Sequence, residues 1–270
     1  MNTWKLGTVP YLNVKPLVAQ LEGRAGVELI DAVPSRLAGM LERREVDAAL
    51  VSSIIPISDP SLCALRAGAV TSDGPVRSIR LMSKTPAREI RRLALDASSR
   101  TSVALCQALL GRLYGLHPEI VSMPPNIPAM LEAADAALVI GDPALLAWAA
   151  VQRGELPQVC EDIDLGEVWR SVMGLPFVYA AWAAPKDGPV DALAALLREA
   201  AEWGETRKIE IADAEAPKLG LPAEMCRDYL TQSIRHRFGP REWEGMAAFQ
   251  RLCMEEGLLP PGLPPFEVAG

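Results

Sequence analysis

Four hydroxyl side chains and one guanidinium stand together in Ser98-Ser99-Arg100-Thr101-Ser102. The apolar run Leu93-Ala94-Leu95 ends just before them, and Val103, Cys106, Leu109, Leu110 and Leu113 follow at helical spacing. A helix starting here aims unpaired backbone N–H groups and the positive end of its dipole at whatever precedes it. With Ser99, Arg100, Thr101 and Ser102 beside those donors, the segment suits a small carboxylate. The same residues also make an ordinary N-cap, which a helix start needs in any case. The segment alone does not separate the two readings.

Other polar residues sit where apolar runs stop. Tyr11-Leu12-Asn13 follows Leu6–Val9, Ser52-Ser53 follows Asp47–Val51, and Gly141-Asp142 follows Ala136–Ile140. Asn13 carries an amide that both donates and accepts; with Pro16 three residues on, it is equally a good helix cap. Ser52 and Ser53 offer donors to a carboxylate, or simply close a strand-end turn. Ser78 lies just past Asp73-Gly74-Pro75 and alternates with Arg80 and Met82, so it faces a cleft or serves as a hinge. Asp142 opens a helix, a place where most aspartates are caps. Arg77, Arg80 and Arg100 are the candidate cations. Trp169, Phe177, Tyr179 and Trp182 read as core rather than as a stacking platform. No glycine-rich phosphate loop, no Gly-x-Ser-x-Gly elbow and no histidine placed to activate a serine is present. The inventory favours binding an organic anion and, at most, a proton-dependent elimination.

The elements that must position these residues alternate. Strands are expected at Leu6–Val9, Val27–Val33, Asp47–Val51, Ser78–Met82, Arg92–Leu95, Glu119–Val121, Ala136–Ile140 and Pro176–Ala183. Helices fall between them: Val14–Leu21, one capped by Ser35, Thr101–Leu113, Ile127–Ala133 and Pro143–Ala150. A loop-rich passage runs from Pro56 to Pro75, and beyond Ala183 the chain reads as helical to about Leu259 before a proline-rich tail. This rhythm predicts an α/β protein of two lobes with the ligand cleft between them. One lobe takes residues 1–83 plus 185–270 and the other 84–184. Ligands in such folds bind at the carboxyl ends of strands, where the polar segments converge.

Bulk properties narrow the partners. The 270 residues carry a formal charge of −7, which argues against nucleic acid and anionic membrane. Five widely spaced cysteines with no Cys-x-x-Cys pair read as reduced thiols of a cytoplasmic protein. Of two histidines, His117 precedes Pro118 and His236 lies between arginines, so neither has a metal-ligand partner at useful spacing and no metal is expected. No signal peptide and no apolar run long enough to span a bilayer is evident.

Several ordered motifs together resemble one family. They are Val-Pro-Tyr-Leu-Asn-Val-Lys-Pro-Leu (9–17), Val-Ser-Ser-Ile (51–54), Ser-Ser-Arg-Thr-Ser-Val-Ala-Leu (98–105), Ile-Gly-Asp-Pro-Ala-Leu (140–145) and Asp-Leu-Gly-Glu-Val-Trp with Gly-Leu-Pro-Phe-Val-Tyr-Ala-Ala-Trp (164–182). In these the chain resembles the chorismate dehydratases of the futalosine route to menaquinone, in register from residue 7 to about 183. Ile55 and Met173 depart from the pattern, standing where an acidic residue and a threonine are common. The resemblance implies a type 2 periplasmic-binding-protein-like fold in the cytoplasm. It also implies loss of water from chorismate to give 3-[(1-carboxyvinyl)oxy]benzoate, without cofactor. Asn13 and Ser78 carry over as catalytic positions that orient the substrate while its own enolpyruvyl carboxylate takes the ring proton. Tyr11, Ser52, Ser53, Ser99, Arg100, Thr101, Ser102 and Asp142 are then expected to contact substrate. The competing reading is a non-catalytic small-anion-binding protein of the same fold; oligomeric state stays open.

Overall fold

The computed structural model describes residues 3–96 and 100–270, with Ser35 described by its backbone alone. The chain opens with β1 (Trp4–Thr8), a 3-10 turn at Leu12–Val14, α1 (Lys15–Val18), β2 (Val27–Asp31), α2 (Pro34–Glu42) and β3 (Ala48–Ser52). β1 pairs in parallel with β2 and β3, as the alternation of apolar runs and helix starts requires. Val33 precedes Pro34 at the head of α2, so Ser35 lies inside the helix and does not cap it. Next come α3 (Ile54–Ser58) and β4 (Leu62–Ser72). This is the passage whose prolines read as loop, yet β4 is an 11-residue strand. Its alanines and Gly68 have low strand propensity, and packing on both faces overrides that preference.

The chain then crosses to a second sheet. There it builds β5 (Ile79–Ser83), β6 (Arg92–Leu95), α4 (Arg100–Tyr114), β7 (Glu119–Ser122), α5 (Ile127–Ala133), β8 (Ala136–Ile140), α6 (Gly141–Gln152) and β9 (Glu161–Asp164). The strands lie in the order β7-β6-β8-β5-β9. Helix α7 (Leu165–Met173) leads back to β10 (Phe177–Pro185), which inserts antiparallel between β3 and β4. Helices α8 (Val190–Glu205), α9 (Lys208–Leu219) and α10 (Ala223–Asp228), a π-helical turn at Tyr229–Ser233 and α11 (Pro240–Glu255) follow. The tail ends in β11 (Val268–Ala269), and the first sheet reads β11-β4-β10-β3-β1-β2. β5 therefore belongs to the second sheet and β10 to the first. The crossings occupy residues 73–78 and 165–176, one strand earlier than the limits at 83/84 and 184/185 read from sequence. An apolar run carries no mark of which sheet it will join.

A smaller core cluster packs α5 and α6 against β6 and β8, and the larger one runs through both lobes. Trp169, Phe177 and Phe249 meet edge to face at its centre, with ring centroids 4.9 Å apart for Trp169–Phe177 and 5.0 Å for Phe177–Phe249. Burial of such a ring contributes roughly 2–3 kcal/mol. Helix α8 lies backbone-to-backbone on α1: a side chain at Gly204 would overlap the Pro16 carbonyl. The C-terminal helices thus hold the turn that carries Asn13. All five cysteines are unbonded, and only Cys160 is exposed.

Candidate active site between the lobes

Strand ends from both lobes open into one cleft. Tyr11, Asn13, Ser52 and Tyr179 line it from the first lobe, Ser102 and Gly141 from the second. All but Tyr179, which lies within β10, follow or close a strand, the position at which α/β sheets present ligand-binding groups. Gly141 has a φ of +61°, and a Cβ there would stand 3.3 Å from the Tyr11 ring. Glycine is needed both for the left-handed backbone and for the aromatic ring to lie against it.

Asp142 is not a helix cap: Ile140 holds that position in α6. Its carboxylate instead reaches across the cleft and accepts the Leu12 N–H, at 3.2 and 3.4 Å from its two oxygens. Burial pushes Asp142 up to about 6, against the lowering effect of that bond. Ser53 and Thr101, both expected at the substrate, are instead fully buried and committed to one another. The Ser53 hydroxyl donates to the Val178 carbonyl at 2.6 Å and lies 3.3 Å from Thr101 Oγ1, which also accepts the Ile54 N–H. They brace the lobes behind the cleft wall, because a buried hydroxyl takes the nearest backbone partner. Arg100 is exposed on the first turn of α4 and does not line the cleft. Ser98 and Ser99 lie outside the described residues.

The two positions expected to be catalytic meet at a third residue. Tyr229, fully buried on the π-helical turn, donates its hydroxyl to Ser78 Oγ at 2.6 Å and has the Asn13 carboxamide as a neighbour of that hydroxyl. Ser78 has no exposed surface; its carbonyl accepts the Gly141 N–H, which places it behind that stretch of wall. His236 holds the other side of the Asn13 turn, its Nε2 2.8 Å from the Asn13 carbonyl. Burial moves this imidazole below its ordinary range, with Glu205 3.4 Å from Nδ1. Neither Tyr229 nor His236 was marked as part of a site by its neighbours in sequence. Tyr229 is 151 residues from Ser78.

A second polar cluster fastens the crossings. Arg80 does not face the cleft as a free cation; it is buried, with Nε 2.7 Å from Asp162 and NH1 3.1 Å from Asp164. Asp164 caps α7 through the Gly166 and Glu167 N–H groups. It also accepts the Val76 and Arg77 N–H groups of the other crossing, the latter at 2.7 Å. One carboxylate thus ties both segments that join the lobes. Arg77 is turned elsewhere, its guanidinium 5.4 Å from the Trp148 ring.

Among the described residues the cleft lining contains no lysine or arginine. The polar side chains among the lining residues are those of Tyr11, Asn13, Ser52, Ser102 and Tyr179. Neutral donors of this kind hold carboxylates well in a site screened from water. Tyr179 adds an aromatic wall, its hydroxyl 2.9 Å from Ser72 Oγ. All four aromatic residues read as core from sequence are buried in it, and Tyr179 lines the cleft as well.

Comparison with known proteins follows the same outline. Residues 4–255 match the model of a family described as menaquinone biosynthesis. A chorismate dehydratase of Thermus thermophilus is 34% identical over 266 residues, covering 92% of this chain and 94% of that protein. A chorismate dehydratase of Campylobacter jejuni is 26% identical, covering 92% and 96%. A protein of Archaeoglobus fulgidus superposes with a TM-score of 0.75 at 18% identity, covering 94% of this chain and 98% of that one. The periplasmic aliphatic sulphonate binding protein of Escherichia coli superposes with a TM-score of 0.64 at 18% identity, covering 97% and 95%. At these identities the structures speak to the fold, which is periplasmic-binding-protein-like.

Proposed function

This chain belongs to the menaquinone biosynthesis family, and from that premise we propose that it is a chorismate dehydratase, a hydro-lyase of the futalosine route. The observation that carries the reading is the meeting of Tyr11, Asn13, Ser52 and Ser102 from two lobes around one cleft, in a chain 34% identical to a chorismate dehydratase over nearly its whole length. The reaction removes the ring proton beside the enolpyruvyl ether and expels the neighbouring hydroxyl as water, leaving an aromatic ring, 3-[(1-carboxyvinyl)oxy]benzoate. Aromatisation supplies the drive, so the protein's task is to hold one conformer and assist proton movement.

Asn13 and Ser78 are weak bases and suit orientation better than proton abstraction, Asn13 from the cleft wall and Ser78 from behind it; the substrate's enolpyruvyl carboxylate takes the proton. Ser52 and Ser102 hold the carboxylates, with Tyr11 against the ring. Asp142, bonded to Leu12, closes the second lobe over the bound molecule. Work in the cytoplasm agrees with the five unpaired cysteines, most of them buried. No described helix is long and apolar enough to cross a membrane.

The test is incubation of purified protein with chorismate, followed by mass spectrometry. An enzyme-dependent aromatic product lighter by one water is expected. Chorismate that binds and stays unchanged would overturn the proposal in favour of a non-catalytic anion-binding protein.

A further inference from the structure

The chemistry read for Asn13 and Ser78 leaves open what sets their orientation, since an amide and a hydroxyl both rotate. Three facts converge on one side chain. Tyr229 is fully buried, its hydroxyl donates to Ser78 Oγ at 2.6 Å, and the Asn13 carboxamide is a neighbour of the same hydroxyl that opposes the upward effect of burial on it. Asn13 stands on the first lobe and Ser78 on the first crossing, just before β5 of the second. The tyrosine sits on a π-helical turn, a local distortion of helix that recurs at functional sites and redirects a side chain. Burial raises the phenol well above its ordinary range, so Tyr229 stays protonated and acts as a donor at any physiological pH.

We propose that Tyr229 is a positioning residue for the dehydration: its hydroxyl fixes Asn13 and Ser78 relative to one another in a chain of single polarity. The Asn13 N–H donates to the Tyr229 oxygen, the Tyr229 O–H donates to Ser78 Oγ, and Ser78 keeps its own proton for another acceptor. A phenol that donates to the serine removes the rotamer in which the serine proton points back at Tyr229. The Asn13 carboxamide is likewise held with its NH2 on the tyrosine and its carbonyl oxygen turned away, free to receive a donor. The inference rests on the dehydratase reading for its activity test, and on hydrogen bonding alone for its spectroscopic one.

Tyr229→Phe removes one oxygen and keeps the ring. With wild-type turnover of chorismate measured first, the variant is expected to lose at least 10-fold in kcat while KM and Tm stay close to wild type. Ser78→Ala introduced into Tyr229→Phe should then cost much less than it does in the wild type, since residues acting as a unit are non-additive. Site-specific replacement of Tyr229 by 3-fluorotyrosine keeps ring and hydroxyl and makes a stronger donor. It covers the case in which the phenylalanine variant folds poorly, and is expected to shift kcat without shifting Tm. A kcat unchanged in both variants, or a fully additive double variant, overturns the proposal. If wild-type protein leaves chorismate untouched, the dehydratase reading fails separately, and the positioning role is read from the side-chain amide resonances of Asn13. Asn2 and Asn126 are the other asparagines, so assignment by Asn13→Ala is direct. Those resonances are expected to move in Tyr229→Phe; resonances that stay in place overturn the proposal.

Discussion

Two polar clusters lie buried where the lobes meet, and they are built from opposite materials. The Asp164 cluster is charged: Arg80 touches two carboxylates, and Asp164 gathers backbone N–H groups from both crossings. The Asn13–Tyr229–Ser78 cluster holds only an amide and two hydroxyls. Buried charge is costly unless every group is paired, and once paired it resists rearrangement. Neutral donors cost less to bury, and hydrogen bonds among them are enough to set their direction. The charged cluster therefore maintains the architecture, and the neutral one presents a fixed set of donors and acceptors to what enters the cleft.

That division has measurable consequences. Asp164→Ala strips partners from both crossings and strands Arg80, a loss of about 3–5 kcal/mol expected for a broken buried pair. A midpoint of urea denaturation close to wild type would refute the architectural role. Asn13→Ala should leave stability nearly intact but lower kcat about 100-fold, or about 2.7 kcal/mol of barrier, with KM little changed. A change confined to KM would move Asn13 from chemistry to binding.

Asp142 is intermediate, a charge in the neutral half of the interface. Its folded value near 6 exceeds the ordinary 3.8, so its contribution to stability is fully present below about pH 4 and lost as pH rises through 6. Asp142→Asn keeps an oxygen for the Leu12 N–H and should be more stable than wild type by about 2–3 kcal/mol at pH 8. That advantage should shrink toward pH 4. Thermal melts across this range check it, and a pH-independent difference would remove the titration argument. The smallest effect is expected from Arg100→Ala. An exposed guanidinium away from the cleft should change the KM for chorismate by less than about twofold; a larger change would return it to the substrate.

Much of this arrangement is legible before any coordinates. Arg92–Leu95, Ile127–Ala133 and Ala136–Ile140 are read residue for residue, because apolar runs there end at clear stops. β9 escapes notice because Glu161-Asp162-Ile163-Asp164 is an acidic edge strand with one apolar residue. In the site, chain position finds Tyr11, Asn13, Ser52, Ser102 and Gly141, each at a strand end. It fails where partners are remote. Ser53 and Thr101 have the right chemistry for a ligand but find each other. Arg80 looks free until Asp162 and Asp164 are brought beside it. Nothing around Tyr229 in sequence announces the hydroxyl it offers to Ser78.

The insertion of β10 between β3 and β4 also dictates an order of assembly. The second sheet is drawn from one continuous stretch of chain, β5 through β9, and has all its strands once Asp164 has been synthesised. β3 and β4 must wait, each with an unpaired edge, until Phe177–Pro185 has been made. Helix α8, which holds the Asn13 turn, comes later still. The lobe that begins first is thus completed last, through contacts of long sequence separation that form slowly. Its waiting strand edges are the part of the nascent chain most exposed to wrong pairing.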